Sequence, residues 1–255
     1  MSCVGGYALA MEFEQRWLGR IGYDEAHALQ RMLVEERAVG RGRDTLLLLE
    51  HDPVMTLGRN ANPGHLLLTE AEYTARGIAV RHAERGGEVT YHGPGHLVMY
   101  PIVALRENGI SLRAHIRALE ASLIAACAAY GVSAERRDGS PGCWVGERKI
   151  GAVGVRVERG IAWHGLALNV GRDLAPFDLI NACGHAGVVS TSIALEQDWA
   201  APARGERDAI GAAAPDLQRV AEIVARAYES ELVAYGASAS ILSTSAVPAA
   251  AGGSR

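Results

Sequence analysis

The chain has 255 residues, 49% of them hydrophobic and 21% charged, with a formal net charge of -4 and a pI near 6.1. This is enough apolar material to bury a full core, and it excludes both a chain disordered throughout and a global basic field for sequence-independent contact with nucleic acid or an anionic membrane. No window approaches the ~18 apolar residues of a membrane span, and Met1 to Ala10 carries no basic region ahead of an apolar run, so the protein is read as cytoplasmic.

In chain order, Ala26, Leu29, Met32 and Leu33 recur at helical spacing and predict a helix from Tyr23 to about Arg37, with Asp24 and Glu25 favourable in its first turn. Thr45 to Leu49 reads as a strand buried on both faces, ending in the loop chemistry of Glu50 to Pro53. After a loop from Gly58 to Gly64, Thr69 is placed to cap a short helix to Arg76, and Gly77 leads into a strand near Ile78 to Arg81. Two strands are expected to flank the glycine-rich stretch Arg85 to Gly95, the second ending at Pro101. Ser111 caps a helix whose stripe Leu112, Ile116, Leu119, Leu123, Cys127 and Tyr130 stops before Gly131, which places Cys127 in the core. Strands follow at Val132 to Arg136, at Cys143 to Val145 turning into Lys149 to Val157, and at Gly160 to Val170. A short helix and loop from Asp173 to Ile193, a mobile connection from Gly205 to Pro215 and a helix from about Asp216 to Tyr235 complete the reading. These elements predict an α/β or α+β fold, a mixed β-sheet core with flanking helices, as one domain over residues 1–237 followed by a disordered tail at 238–255.

The four cysteines, Cys3, Cys127, Cys143 and Cys183, form no Cys-x-x-Cys pair and are expected to be reduced. The 25 basic residues are 24 arginines and one lysine, Lys149. Arginine stays charged near neutral pH whereas lysine can be tuned to exchange a proton, so a site that needs such an amine cannot accept the swap; chance retention of one lysine is an equally weighted explanation.

Three segments concentrate unusual chemistry. Arg85 to Gly95 holds four glycines, which let backbone amides approach an anion, a carbonyl oxygen or an acyl chain, though a ligand-free hairpin connection has the same composition. It matches neither a Walker A loop nor a dinucleotide fingerprint. His92 and His96 are four residues apart, but Pro94 and Gly95 between them exclude a regular helix, and with it the spacing argument for a metal. His51, His164 and His185 read as polar or loop histidines. Arg148 to Val155 starts on the sole lysine and continues through small residues that leave room for a bound chain. Asn181 to Gly187 sets Cys183 among small residues in a loop, where a neighbouring ammonium would lower its pKa by ~1–3 units.

In this order and spacing the segments resemble the lipoyl(octanoyl) transferase family. The resemblance covers most of the chain, from the helix near Tyr23 through Leu49 to Arg59, Arg85 to Pro101, Arg148 to Arg156 and His164 to Val170, ending in Cys183-Gly and Thr191-Ser192. It implies transfer of octanoyl from octanoyl-acyl carrier protein to a specific lysine of the lipoyl domains of 2-oxoacid dehydrogenase E2 subunits and of the glycine cleavage H protein. It further implies Cys183 as the acyl-carrying nucleophile and Lys149 as the residue that lowers its pKa. The substrate-binding residues it implies are Arg85, Gly86, Gly87, Glu88, Val89, Thr90, Tyr91, His92, Ala152, Val153, Gly154, Gly165, Leu166 and Ala167, on the α/β core of lipoate and biotin protein ligases. His96 stands where the family usually has glutamine, and Ala182 where it usually has proline. A thioester donor already stores the energy of amide formation, so no cofactor, metal or ATP site is expected. Acidic protein partners are expected to dock near Arg43, Arg59 and Arg159. The alternatives are an ATP-dependent lipoate or biotin ligase, a cysteine hydrolase, and a binding module with Cys183 as a structural thiol.

Overall fold

The structure, a computed structural model, describes residues 12–181, 188–204, 211 and 213–244. A six-stranded sheet forms the centre, in the order β1-β2-β6-β9-β8-β7, from β1 (Phe13–Ile21), β2 (Asp44–His51), β6 (His96–Ala104), β9 (Ile161–Asn169), β8 (Arg148–Glu158) and β7 (Gly142–Val145). Pairing is antiparallel except between β1 and β2. A small sheet of β4 (Ala79–His82), β3 (Val54–Leu57) and β5 (Val89–His92) stands beside it.

The two faces of the large sheet bury different clusters because side chains alternate along each strand. One face carries Leu46, Leu48, Leu97, Met99, Leu166 and Leu168 against α3 (Leu112–Ala129) and α5 (Leu217–Thr244), with Cys127 and Cys143 fully buried as free thiols. The other carries Leu47, Leu49, Val98, Tyr100 and Trp163 against α1 (Tyr23–Ala38). The central strands β6 and β9 are buried along their whole length, which explains why they read as continuous apolar runs. Thr69 caps α2 (Glu70–Ala75) in a reciprocal box with Glu72, and the Ser111 hydroxyl accepts from the Ala114 amide at the start of α3.

Several expectations change. β1 and α4 (Ile193–Arg204) are additional elements. β2 continues to His51 and β6 to Ala104, past the boundaries at Leu49 and Pro101. The strand expected over Val132 to Arg136 is a single bridge, Glu135 to Trp144, because Asp138 to Pro141 turns the chain away before a ladder extends. α5 runs to Thr244, beyond the boundary drawn at residue 237. Residues 205–210 and 212 of the expected mobile connection lie outside the described residues, as does the tail beyond 244.

Candidate active site

A cavity of about 370 Å³ lies between the α1-side face of the large sheet and the small sheet. Its floor follows from strand register: Ala152 pairs with Ala167 and Gly154 with Gly165, two successive rungs of small residues on one face. Neither rung is free to grow. A β-carbon on Gly165 would collide with the Met99 carbonyl and the Pro101 ring, and one on Gly154 would stand 2.9 Å from the Gly86 carbonyl oxygen.

The glycine-rich segment forms the opposite wall. Arg85 donates through Nη2 to the Thr56 carbonyl at 2.8 Å and to the Thr56 hydroxyl at 2.7 Å, and through Nη1 to the Gly86 carbonyl at 3.1 Å. The Gly86 amide donates to the Val155 carbonyl at 3.0 Å, tying the loop to β8. Gly87 adopts φ +89°, in the left-handed region that favours glycine. Glu88 accepts from the Asn62 amide and meets His65 Nδ1 at 2.9 Å, fastening the loop to the chain after β3.

Lys149 lines one end of the cavity, half-buried at the start of β8, with Nζ 5.2 Å from the centre of the Trp144 ring. Gly142, at φ +136°, lets the lysine stem pass, since a β-carbon there would lie 3.1 Å from Lys149 Cε. The Lys149 amide donates to the Val189 carbonyl and its carbonyl accepts from the Thr191 amide, each at 2.9 Å. That returning segment is anchored in turn: Thr191 Oγ1 donates to Glu196 at 2.6 Å, Arg148 makes two bonds to the Glu196 carboxylate at 2.8 and 2.9 Å, and Asn169 donates to the Thr191 carbonyl at 2.9 Å. Cys183, His185 and the Ala182 position lie outside the described residues.

The far end of the cavity is polar. Tyr23, His92, Tyr100 and His164 all line it. His51 Nε2 lies 2.8 Å from the Tyr100 hydroxyl, and His92 Nε2 lies 3.5 Å from Thr56 Oγ1. Burial pushes His51 down to about 4 and holds His92 and His164 below the ordinary histidine range, so these rings are neutral near pH 7. The imidazoles of His164 and His27 beside it hold the Glu84 carboxyl down at about 2. His96 is absent from the cavity wall: it is 1% exposed, stacked on Phe177 and edge-on to Tyr91, and these two rings do line the cavity.

Residues 22–198 match the model of the lipoyl protein ligase A/B catalytic domain. The chain belongs to this family. It is similar to the octanoyltransferase of Chloroflexus aggregans, 48% identical over 188 residues that cover 72% of this chain and 85% of the relative, and to that of Acidobacterium capsulatum, 47% identical over 192 residues covering 70% and 78%. In fold it resembles a lipoate-protein ligase A crystallised with ATP, at a TM-score of 0.59 and 16% identity over 87% of this chain and 86% of the other, and the biotin protein ligase of Aquifex aeolicus, at 0.51 and 12% over 89% and 72%. The mixed sheet with flanking helices is therefore the lipoate and biotin ligase core expected from the sequence.

Within this lipoyl ligase A/B frame, every described residue that the resemblance implies for catalysis or substrate binding lines the one cavity: Lys149, Arg85 through His92, Ala152 through Gly154 and Gly165 through Ala167. Of the three arginines expected near protein partners, Arg59 adjoins the cavity wall, its amide donating to the Arg85 carbonyl at 2.9 Å, and the other two stand apart from it. Arg159 follows the far end of β8 from Lys149, and Arg43 precedes β2 at that same far edge, where Asp44 and Ile161 stand; each pairs with a glutamate, Glu35 and Glu12. Sequence reading missed Tyr23, Tyr100, His164, Asn169 and Ser190 as lining residues. His164 carried one signal, a histidine between two stretches of a buried strand, and the structure gives it a φ of +55°.

Proposed function

We propose that this single catalytic domain takes octanoyl from octanoyl-acyl carrier protein, holds it as a thioester on Cys183, and passes it to a lysine of a lipoyl domain, on E2 subunits of 2-oxoacid dehydrogenases and on the glycine cleavage H protein. The reading rests on one observation above the others: the glycine-rich loop, the small-residue floor and the chain's only lysine share one cavity. In the reaction the Cys183 sulfur attacks the donor carbonyl, the carbon–sulfur bond to the carrier breaks, and the Lys149 ammonium returns a proton to the leaving thiolate. The acceptor amine then attacks the acyl-enzyme, its proton passes to the now neutral Lys149 amine, an amide forms, and the Cys183 thiolate is released beside the restored Lys149 ammonium. The chain on either side of the reaction centre supports these roles, because Val189 and Thr191, a few residues after Cys183 in sequence, bond to both backbone groups of Lys149.

The test is intact-protein mass spectrometry after mixing with octanoyl-acyl carrier protein in the absence of ATP, for wild type, Cys183→Ser and Lys149→Arg. The expected result is one octanoyl group on wild type, released by hydroxylamine, absent from Cys183→Ser and slow to form on Lys149→Arg. An unmodified wild type that labels a lipoyl domain only with free octanoate and ATP would replace this reading with an adenylating ligase.

A further inference from the structure

Strict alternation along β8 would turn Ile150 toward the cavity, in line with Ala152 and Gly154, and Lys149 away from it. The opposite is observed. Cys143 pairs with Gly151 and Trp144 with Lys149, so β8 carries one residue more than β7 at this point. The bulge sends Ile150 into the α3-side core with Cys143 and gives its place in the cavity wall to Lys149. It also makes Trp144 the cross-strand neighbour of the lysine, on the same face of the hairpin.

The Trp144 ring is firmly held. It is 3% exposed, its backbone exchanges two bonds with Glu135 at 2.8 and 2.9 Å, and its Nε1 donates to the Ser140 carbonyl at 3.2 Å. Arg137 covers the ring, with its guanidinium carbon 4.2 Å from the centre. The same guanidinium donates to the Gly146 carbonyl at 2.9 Å and pairs with Glu147 at 3.0 Å, both in the turn that joins β7 to β8. Lys149 Nζ stands over this ring at 5.2 Å. Both cations lie within the ~6 Å over which an aromatic face attracts positive charge, and burial of the ring strengthens the attraction. Trp144 stands outside the lining of the cavity, whereas Ser140, to which its Nε1 is bonded, belongs to the lining with Gly139 and Pro141. The ring therefore reaches the reaction through Lys149 and that loop.

We propose that Trp144 is a positioning residue for the acyl exchange: its ring, locked in place by Arg137 and Ser140, holds the Lys149 ammonium at the cavity wall. A lysine stem is flexible, and the ring face selects one placement of its charged end. The hold acts on the ammonium rather than on the neutral amine, so it is in force when a proton is to be given and relaxes once the proton has gone. This inference rests on the acyl-transfer reading for the proton's destination.

The test compares Trp144→Phe with Trp144→Met. Both side chains are smaller than tryptophan and both lose the Nε1 bond to Ser140, but only phenylalanine keeps an aromatic face. Thioester formation from octanoyl-acyl carrier protein is expected to be about tenfold slower in Trp144→Met than in Trp144→Phe, at equal donor KM and per folded molecule as measured by circular dichroism. The contact is read separately by nuclear magnetic resonance. Because the chain has one lysine, protein grown with lysine labelled at the ε-carbon gives a single ε-methylene signal. The ring current is expected to hold that signal upfield of a solvated lysine in wild type and Trp144→Phe, and to release it in Trp144→Met. Equal loading rates in the two variants, or a wild-type signal at the solvated position, would overturn the proposal; the wild-type spectrum decides even where a variant fails to fold. A chain that forms no thioester yet shows the upfield signal loses the acyl-transfer reading and keeps the hold of the ring on the lysine.

Discussion

Gly86 sits directly on Gly154: a β-carbon on Gly154 would stand 2.9 Å from the Gly86 carbonyl oxygen and 3.2 Å from Arg85 Cδ, and the Gly86 amide is bonded to the next carbonyl along β8 at 3.0 Å. The loop is thereby clamped to the sheet by two residues without side chains. Gly154→Val must lift the loop or bend the strand. Overpacking of this kind costs about 1–3 kcal/mol, a fall of roughly 2–10 °C in melting temperature for a chain of this size. Acyl loading is expected to fall more than tenfold, and scanning calorimetry beside acylation kinetics checks both.

Arg148 and Glu196 make the second clamp. Their two charge-assisted bonds, with the Thr191 hydroxyl on the same carboxylate, hold the returning chain beside Lys149. Glu196→Gln keeps the shape and removes the charge, and is expected to cost about 1–3 kcal/mol. Slower thioester formation at an unchanged donor KM is the expected kinetic mark, measured by rapid-quench acylation.

Lys149→Arg separates charge from proton exchange. Arginine retains the positive charge but does not release a proton near neutral pH. The acyl-enzyme is expected to form at least a hundredfold more slowly, with the far-ultraviolet circular dichroism spectrum and melting temperature within 2 °C of wild type (about 1 kcal/mol or less). An arginine variant at full rate would reduce the lysine to an electrostatic role.

Histidine burial gives the protein an acid-side stability slope. His51, His96 and His115 are each pushed down to about 4 by burial, against an ordinary value of 6.5. Between these limits the unfolded chain binds protons that the folded chain does not. Their contribution is therefore complete above pH 6.5 and is lost as pH falls toward 4, by up to ~1.4 kcal/mol per pH unit for each ring. His96→Gln removes one such proton site and is expected to flatten the dependence of the urea midpoint on pH in this window, leaving the midpoint above pH 7 less affected than the slope.

The glycine-rich loop and the small-residue strand were legible because both are local: glycine permits close approach wherever it occurs, and alternation on β8 and β9 needs only neighbouring residues. α3 announced itself through one apolar stripe and a serine cap. β1 did not, because as an edge strand it exposes Glu14, Gln15 and Arg20 and keeps no clean alternation. α4 was hidden by its short Ala-rich run with Pro202 near its end and by an exposed Trp199, which is stacked by Arg148 rather than buried. The polar end of the cavity was illegible for another reason. Tyr23, His92, Tyr100 and His164 come from α1, β5, β6 and β9, and only the tertiary fold brings them together.

An enzyme that hands acyl groups to lysines on other proteins has itself only one lysine, set into the wall of its own cavity. Its outer surface, furnished with arginine instead, offers no side-chain amine on which the cargo could be misplaced. The same economy makes any amine-directed reagent, once the chain's α-amino group is blocked, a reporter of a single position, so that occupancy of the cavity can be followed by the protection of Lys149 from modification.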